Sequence, residues 1–143
     1  MEVWTIGHST RQFDTFVEIL RKHRIETVVD VRHFATSMRM PWFKKEYLQL
    51  MLPKYRINYV HVPELGGYRK GGFAPHMKTK DFALGMQRLV DTALSSRAAI
   101  MCSESVFSRC HRRYLADHLA QDGWTVNHIY DDKRVERHAL TSR

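Results

Sequence analysis

Apolar residues recur along this chain in two alternating patterns: short continuous runs, and runs in which they return every three or four positions. Continuous runs bounded by turn residues predict buried strands, and the 3.6-residue period predicts helices with one buried stripe. The first run, Met1 to Ile6, ends in the polar Gly7-His8-Ser9-Thr10. Phe13, Phe16, Val17 and Leu20 then fall at i, i+3, i+4 and i+7, and Ser9 with Gln12 fits a capping box for that helix.

A second strand is predicted over Glu26 to Val31, interrupted by Asp30. A short helix follows over Lys44 to Met51, ended by Pro53, and a third strand over Ile57 to Val62. Thr79 is placed to cap a helix whose stripe is Phe82, Met86, Leu89, Val90 and Ala93. Ala98 to Met101 form a fourth strand. Arg109 to Gln121 form a helix closed by Asp122-Gly123, Trp124 to Tyr130 form a fifth strand, and a polar tail follows.

Alternating strands and helices imply an α/β fold: a mostly parallel sheet of about five strands with helices on both faces. At 143 residues the chain is expected to be one domain with a core of its own. A strand order of 3-2-1-4-5 would set strands one and four side by side, with His8 facing Cys102 across the crevice where ligands bind such sheets.

Composition narrows the chemistry. With 23 Lys and Arg against 15 Asp and Glu, the net charge of +8 favours an anionic partner, a small molecule or nucleic acid. No apolar run approaches a membrane span, and two cysteines without a signal peptide predict a cytoplasmic protein.

The densest chemistry lies in Ala98 to Arg113, where a strand discharges into a polar loop and a basic helix start. Cys102 at the strand end, Glu104 beside it, His8 from strand one and Asp30 from strand two are the candidate catalytic residues. A thiolate with a base is the minimum for nucleophilic catalysis. An Asp in a buried strand must be paired, and Arg32 is its nearest partner. Candidate anion-binding residues are Ser9, Arg32, Glu64, Gly66, Gly67, Arg69, Arg109, Cys110, His111 and Arg112, with helix-start amides and glycine amides adding to the cations. No nucleotide fingerprint is present, and the sequence names no cofactor.

Two alternatives remain open. His8, Cys102, Cys110 and His111 with Glu104 or Glu64 offer zinc- or iron-type donors, although their spacing matches no recurrent ligand motif. Arg11, Arg32, Arg39, Lys44, Lys45, Arg69, Arg112 and Arg113 would serve a noncatalytic nucleic-acid binder.

The segments T-I-G-H-S-T (Thr5 to Thr10), V-V-D-V-R (Val28 to Arg32), H-V-P-E-L-G-G (His61 to Gly67), M-C-S-E (Met101 to Glu104) and R-C-H-R-R (Arg109 to Arg113) resemble the DUF488 family, a domain of unknown function that includes the YeaO-like proteins. The resemblance implies an α/β domain and leaves the activity open. A looser similarity to rhodanese rests on the V-V-D-V-R strand and a cysteine after a strand. Six residues separate Cys102 from Arg109, which matches neither the rhodanese loop nor a phosphatase C-x5-R.

Overall fold

The computed structural model describes residues 1–67, 69 and 71–140, with the side chain of Arg109 outside that description. Six strands form one sheet: β1 (Glu2–Gly7), β2 (Thr27–Asp30), β3 (Asn58–His61), β4 (Ala98–Cys102), β5 (Thr125–Ile129) and β6 (Val135–Arg137). Among the described residues five α-helices accompany them: α1 (Phe13–Lys22), α2 (Lys45–Met51), α3 (Phe73–His76), α4 (Lys80–Ser95) and α5 (Arg112–Gln121). The α/β class is as expected. The expected polar tail instead contributes β6, which pairs antiparallel with β5, while every other pair is parallel.

The order is β3-β2-β4-β1-β5-β6. The expected 3-2-1-4-5 is therefore corrected: β4 inserts between β2 and β1. Strands β1 and β4 are nonetheless neighbours, with Gly7 opposite Cys102. From β1 the chain moves toward β2 on one side, and from β4 it moves toward β5 on the other. Their carboxyl ends thus flank the switch point of the sheet.

Each face carries its own core. One packs Phe13, Phe16 and Leu20 of α1 and Leu48 of α2 against Trp4, Ile6, Ala99 and Met101. The other packs Phe82, Met86 and Leu89 of α4 and Leu115 and Leu119 of α5 against Val3, Ile100 and Cys102. The alternation is the strand pleat, because successive side chains leave opposite faces. Thr79 caps α4, its hydroxyl accepting from the Phe82 amide at 3.2 Å. The capping box at Ser9 does not form. Ser9 sits at φ 53°, its amide donating to the Ser103 carbonyl at 2.9 Å, and α1 begins beyond Gln12 with no side-chain cap. Ser9 instead fastens the turn after β1 to the turn after β4.

Candidate active site around two cysteines

β4 ends in Cys102, and the loop Ser103 to His111 folds back over the carboxyl edge before α5 begins. Gly7 lets that loop in. A Cβ at position 7 would stand 1.7 Å from the Glu104 carbonyl oxygen. Gly66 plays the same part on the β3 side, where a Cβ would meet the His33 amide nitrogen at 2.4 Å. These approaches shape a cavity of about 670 Å³ at the edge. Its walls include Arg32, His33, Cys102, Glu104, Cys110, His111 and Arg113, together with the rings of Phe34, Phe73 and Tyr114.

The two thiols differ sharply. Cys102, the expected catalytic thiol, is 2% exposed, while Cys110 is half-buried on the cavity wall. The Arg112 amide, at the start of α5, donates to Cys110 Sγ at 3.4 Å, and His111 Nδ1 lies 3.5 Å from it. His111 Nε2–H donates to the Val31 carbonyl at 3.1 Å, which turns Nδ1 toward the sulfur. The Cys102 S–H donates to the Glu104 carbonyl at 3.8 Å. Interaction with Cys102, followed by the His111 hydrogen bond and charge and the Arg112 amide, brings the Cys110 pKa down to about 4 against the opposing effect of burial. Burial, and then the neighbouring Cys110, pushes the Cys102 thiol well up, so Cys102 is the protonated member of the pair.

His8 does not face Cys102. Its amide donates to the Cys102 carbonyl at 2.8 Å, but its ring lies on the α1/α2 face, stacked on Phe43 with centroids 4.2 Å apart. Gly7 and Cys102 share a pleat position, so His8 leaves the opposite face. His8 Nδ1–H donates to the Ser9 carbonyl at 2.8 Å, and Nε2 faces Arg32 Nη1 at 3.4 Å. Burial, reinforced by Arg32, lowers its pKa to about 4, so the ring is neutral at pH 7.

Asp30 is fully buried and holds Arg32 by two parallel bonds, Nε to Oδ1 at 2.9 Å and Nη2 to Oδ2 at 2.7 Å, while the Tyr59 hydroxyl also donates to Oδ2. Arg32, in turn, lines the cavity. Asp30 thus anchors a cation of the wall and does not itself reach the space. Glu64 lies away from the cavity, 3.5 Å from Arg88. Gly67 lines the wall beside His111, and Arg69 donates to the Gly66 and Pro63 carbonyls, tying down its own loop. Glu104 turns its carboxylate-bearing side chain outward, while its carbonyl accepts from Arg112 at 2.6 Å. The expected role of Arg109 lies outside the described side chains.

Arg112 was read as part of an anion-binding helix start, and it is 1% exposed. Nη1 donates to Thr5 Oγ1 at 2.9 Å. From there a chain continues: Thr5 Oγ1 to His128 Nδ1 at 2.6 Å, His128 Nε2 to His138 Nδ1 at 2.9 Å, and His138 Nε2 to Asp117 Oδ1 at 2.7 Å. With the hydrogen of each ring on Nε2, every link has one donor and one acceptor, all directed away from Arg112. Burial, with the neighbouring His138 and Arg112, lowers His128 to about 3, which keeps it neutral. Phe107 covers the His128 ring at 3.6 Å, nearly parallel. Sequence reasoning missed Thr5, His128, His138 and Asp117 in this role. His128 on a buried strand was the available signal.

These placements bear on both alternatives. Among the described residues, no group of three or more His, Cys, Asp and Glu side chains is arranged to hold a metal ion. Of the cations suggested for nucleic acid, Arg32 and Arg112 are buried, and Arg11 donates to the Gly7 and Tyr130 carbonyls. Among the described residues, no helix is long and apolar enough to cross a membrane.

The family model described as a domain of unknown function, DUF488, matches residues 12–119. The chain belongs to the DUF488 family. No curated protein and no solved structure matches it. The DUF488 match spans both cysteines, His111, Asp30, Arg32 and Arg112, and ends before His128 and His138.

Proposed function

We propose that this DUF488 protein is a thiol-dependent enzyme in which Cys110 is the nucleophile, His111 its proton partner, and the substrate an anion carrying a planar group, such as a nucleotide. The observation that carries this reading is the surroundings of Cys110: a sulfur at a helix start, against an imidazole and a second thiol, opening into a cavity. Unpaired amides at a helix start and an adjacent cation are the physical means of holding a thiolate. Arg32, His33 and Arg113 on the walls favour negative charge, and Phe34, Phe73 and Tyr114 supply ring faces. Phe73 and Tyr114 already stack on each other, with centroids 5.5 Å apart. Cys110 replaces Cys102 as the reacting sulfur because Cys102 is the closed, protonated member of the pair.

The test is the pH dependence of alkylation of the native protein by limiting iodoacetamide, resolved by peptide mass spectrometry. An ordinary thiol, with pKa ~8.5, loses reactivity about tenfold per unit below that value. Cys110 is expected to react at a nearly constant rate from pH 6 to 8. A pKa near 4 also weakens the sulfur as a nucleophile, by roughly 100-fold for a Brønsted slope of about 0.45. Cys110 therefore overtakes a free thiol only below about pH 6.5, and the flat profile is the signature. A nucleoside monophosphate should slow the labelling. A Cys110 rate that climbs tenfold per unit toward pH 8.5 would remove the nucleophile reading.

A further inference from the structure

The nucleophile reading gives Cys102 nothing to do except hold a proton, yet its position fits a second task. It is buried in the core cluster against which Cys110 packs, and both cysteines line the same cavity. A thiol so placed is shielded from reagents in solution and lies beside the other cysteine. That asymmetry is what a two-step thiol oxidation needs: one accessible thiolate to be attacked first and one enclosed thiol to displace the product.

We propose that Cys102 is a resolving thiol, and that the pair reduces hydroperoxides entering the cavity by forming a Cys102–Cys110 disulfide. This rests on Cys110 being the reactive sulfur. In the first step Cys110 Sγ attacks the distal oxygen of ROOH. An S–O bond forms, the O–O bond breaks, and the departing RO⁻ leaves as ROH with a proton from His111 Nδ1. Cys110 is then a sulfenic acid, oxidised by two electrons. In the second step Cys102 Sγ attacks Cys110 Sγ. The S–S bond forms, the S–O bond breaks, and hydroxide leaves as water with the Cys102 proton. Two equivalents of a low-molecular-weight thiol return the two electrons and restore both cysteines.

The local structure supports both steps. His111 is oriented by its Nε2–H bond to the Val31 carbonyl, so its other nitrogen stays beside the sulfur where the leaving group departs. The Glu104 carbonyl, 3.8 Å from Cys102 Sγ, accepts the S–H hydrogen bond and orients the thiol, whose proton leaves with the departing hydroxide. Nearby positive charge from Arg112 favours a developing thiolate on Cys102.

The experiment uses the full chain, reduced and freed of thiols, then treated with one equivalent of hydrogen peroxide or tert-butyl hydroperoxide and digested with trypsin without reduction. Cleavage after Arg109 separates the cysteines, so the disulfide is read as peptide 98–109 joined to peptide 110–112. We expect that joined pair from monomeric protein, with one hydroperoxide consumed per chain, and no trapping by dimedone. Cys102→Ser keeps a hydroxyl at the buried position but cannot form the disulfide. In that variant we expect dimedone on Cys110 and a flat alkylation profile like that of the parent protein. Wild-type protein that carries dimedone at Cys110, joins its peptides only in covalent dimers, or leaves both cysteines untouched overturns the proposal. If Cys110 still alkylates with the flat profile in those cases, the nucleophile reading survives alone. A Cys110 with an ordinary titration ends both.

Discussion

Asp30→Asn is expected to cost ~3 kcal/mol or more and to lower the melting temperature by about 10 °C, because it leaves a buried guanidinium without its charge partner. Asp30 is fully buried and Arg32 6% exposed, so neither charge can be solvated as the structure stands. The carboxylate accepts from Arg32 Nε, Nη2 and backbone amide, and from the Tyr59 hydroxyl. A side-chain amide replaces one accepting oxygen with a donor, and that donor then faces other donors. Converting the pair together, Asp30→Leu with Arg32→Met and Tyr59→Phe, should recover most of the stability while removing a cation from the cavity wall. Such a variant separates scaffold from binding. A melting temperature for Asp30→Asn within 2 °C of the parent, a threshold set at about half a kcal/mol, would show that Arg32 does not depend on Asp30.

Acid should unfold this protein early, through its histidines. His8 and His128 are buried as neutral rings, with pKa values lowered to about 4 and about 3 from the ordinary 6.5. The unfolded chain takes up protons on both as pH falls below 6.5, while the folded chain does so only near 4 and 3. Their contribution is complete above pH 6.5 and is lost as pH falls toward 4 and then 3. At pH 4.5 the two together should have removed about 5 kcal/mol, comparable to the whole stability of an ordinary domain. Urea unfolding of Cys110→Ser at pH 7 and pH 4.5 reads this without the thiol pair adding its own slope. His8→Asn should recover about half of the difference. Equal stability at the two pH values would mean that both rings can be charged in place.

The sequence carried α1, α2, α4, α5 and the parallel strands because their signal is local, while the four residues of α3 are too few to show a period. Phe82, Met86 and Leu89 announce a stripe, and all three are buried on α4. Strand order has no local signature, so β4 could be inserted between β2 and β1 without changing any run of apolar residues. β6 was invisible for a related reason. Val135, Glu136 and Arg137 are exposed, and only pairing with β5 makes them a strand. That Cys102 would end a strand at the carboxyl edge was legible, as was the crowding of polar groups around the cysteines. The division of labour between them was not, since it depends on burial. The placement of His8 was legible only in part: the pleat sets it on the face of Ile6, but it takes the register of Gly7 with Cys102 to put that face opposite Cys102. Arg112 looked like surface charge because its neighbours in sequence are charged, and only tertiary packing brings Thr5 and the two histidines to it.

The chain of bonds from Arg112 to Asp117 conducts polarity but not protons. Each hydroxyl or ring in it passes its hydrogen outward, so the negative charge at Asp117 is felt at Arg112 through four links. A proton entering at the Asp117 end would have to be handed inward at every link, and the last recipient would be a guanidinium, which has no lone pair to accept it. The path is therefore closed at its inner end. Although that end adjoins the loop that holds Cys110, protons exchanged by the sulfur must come and go through the cavity, by way of His111.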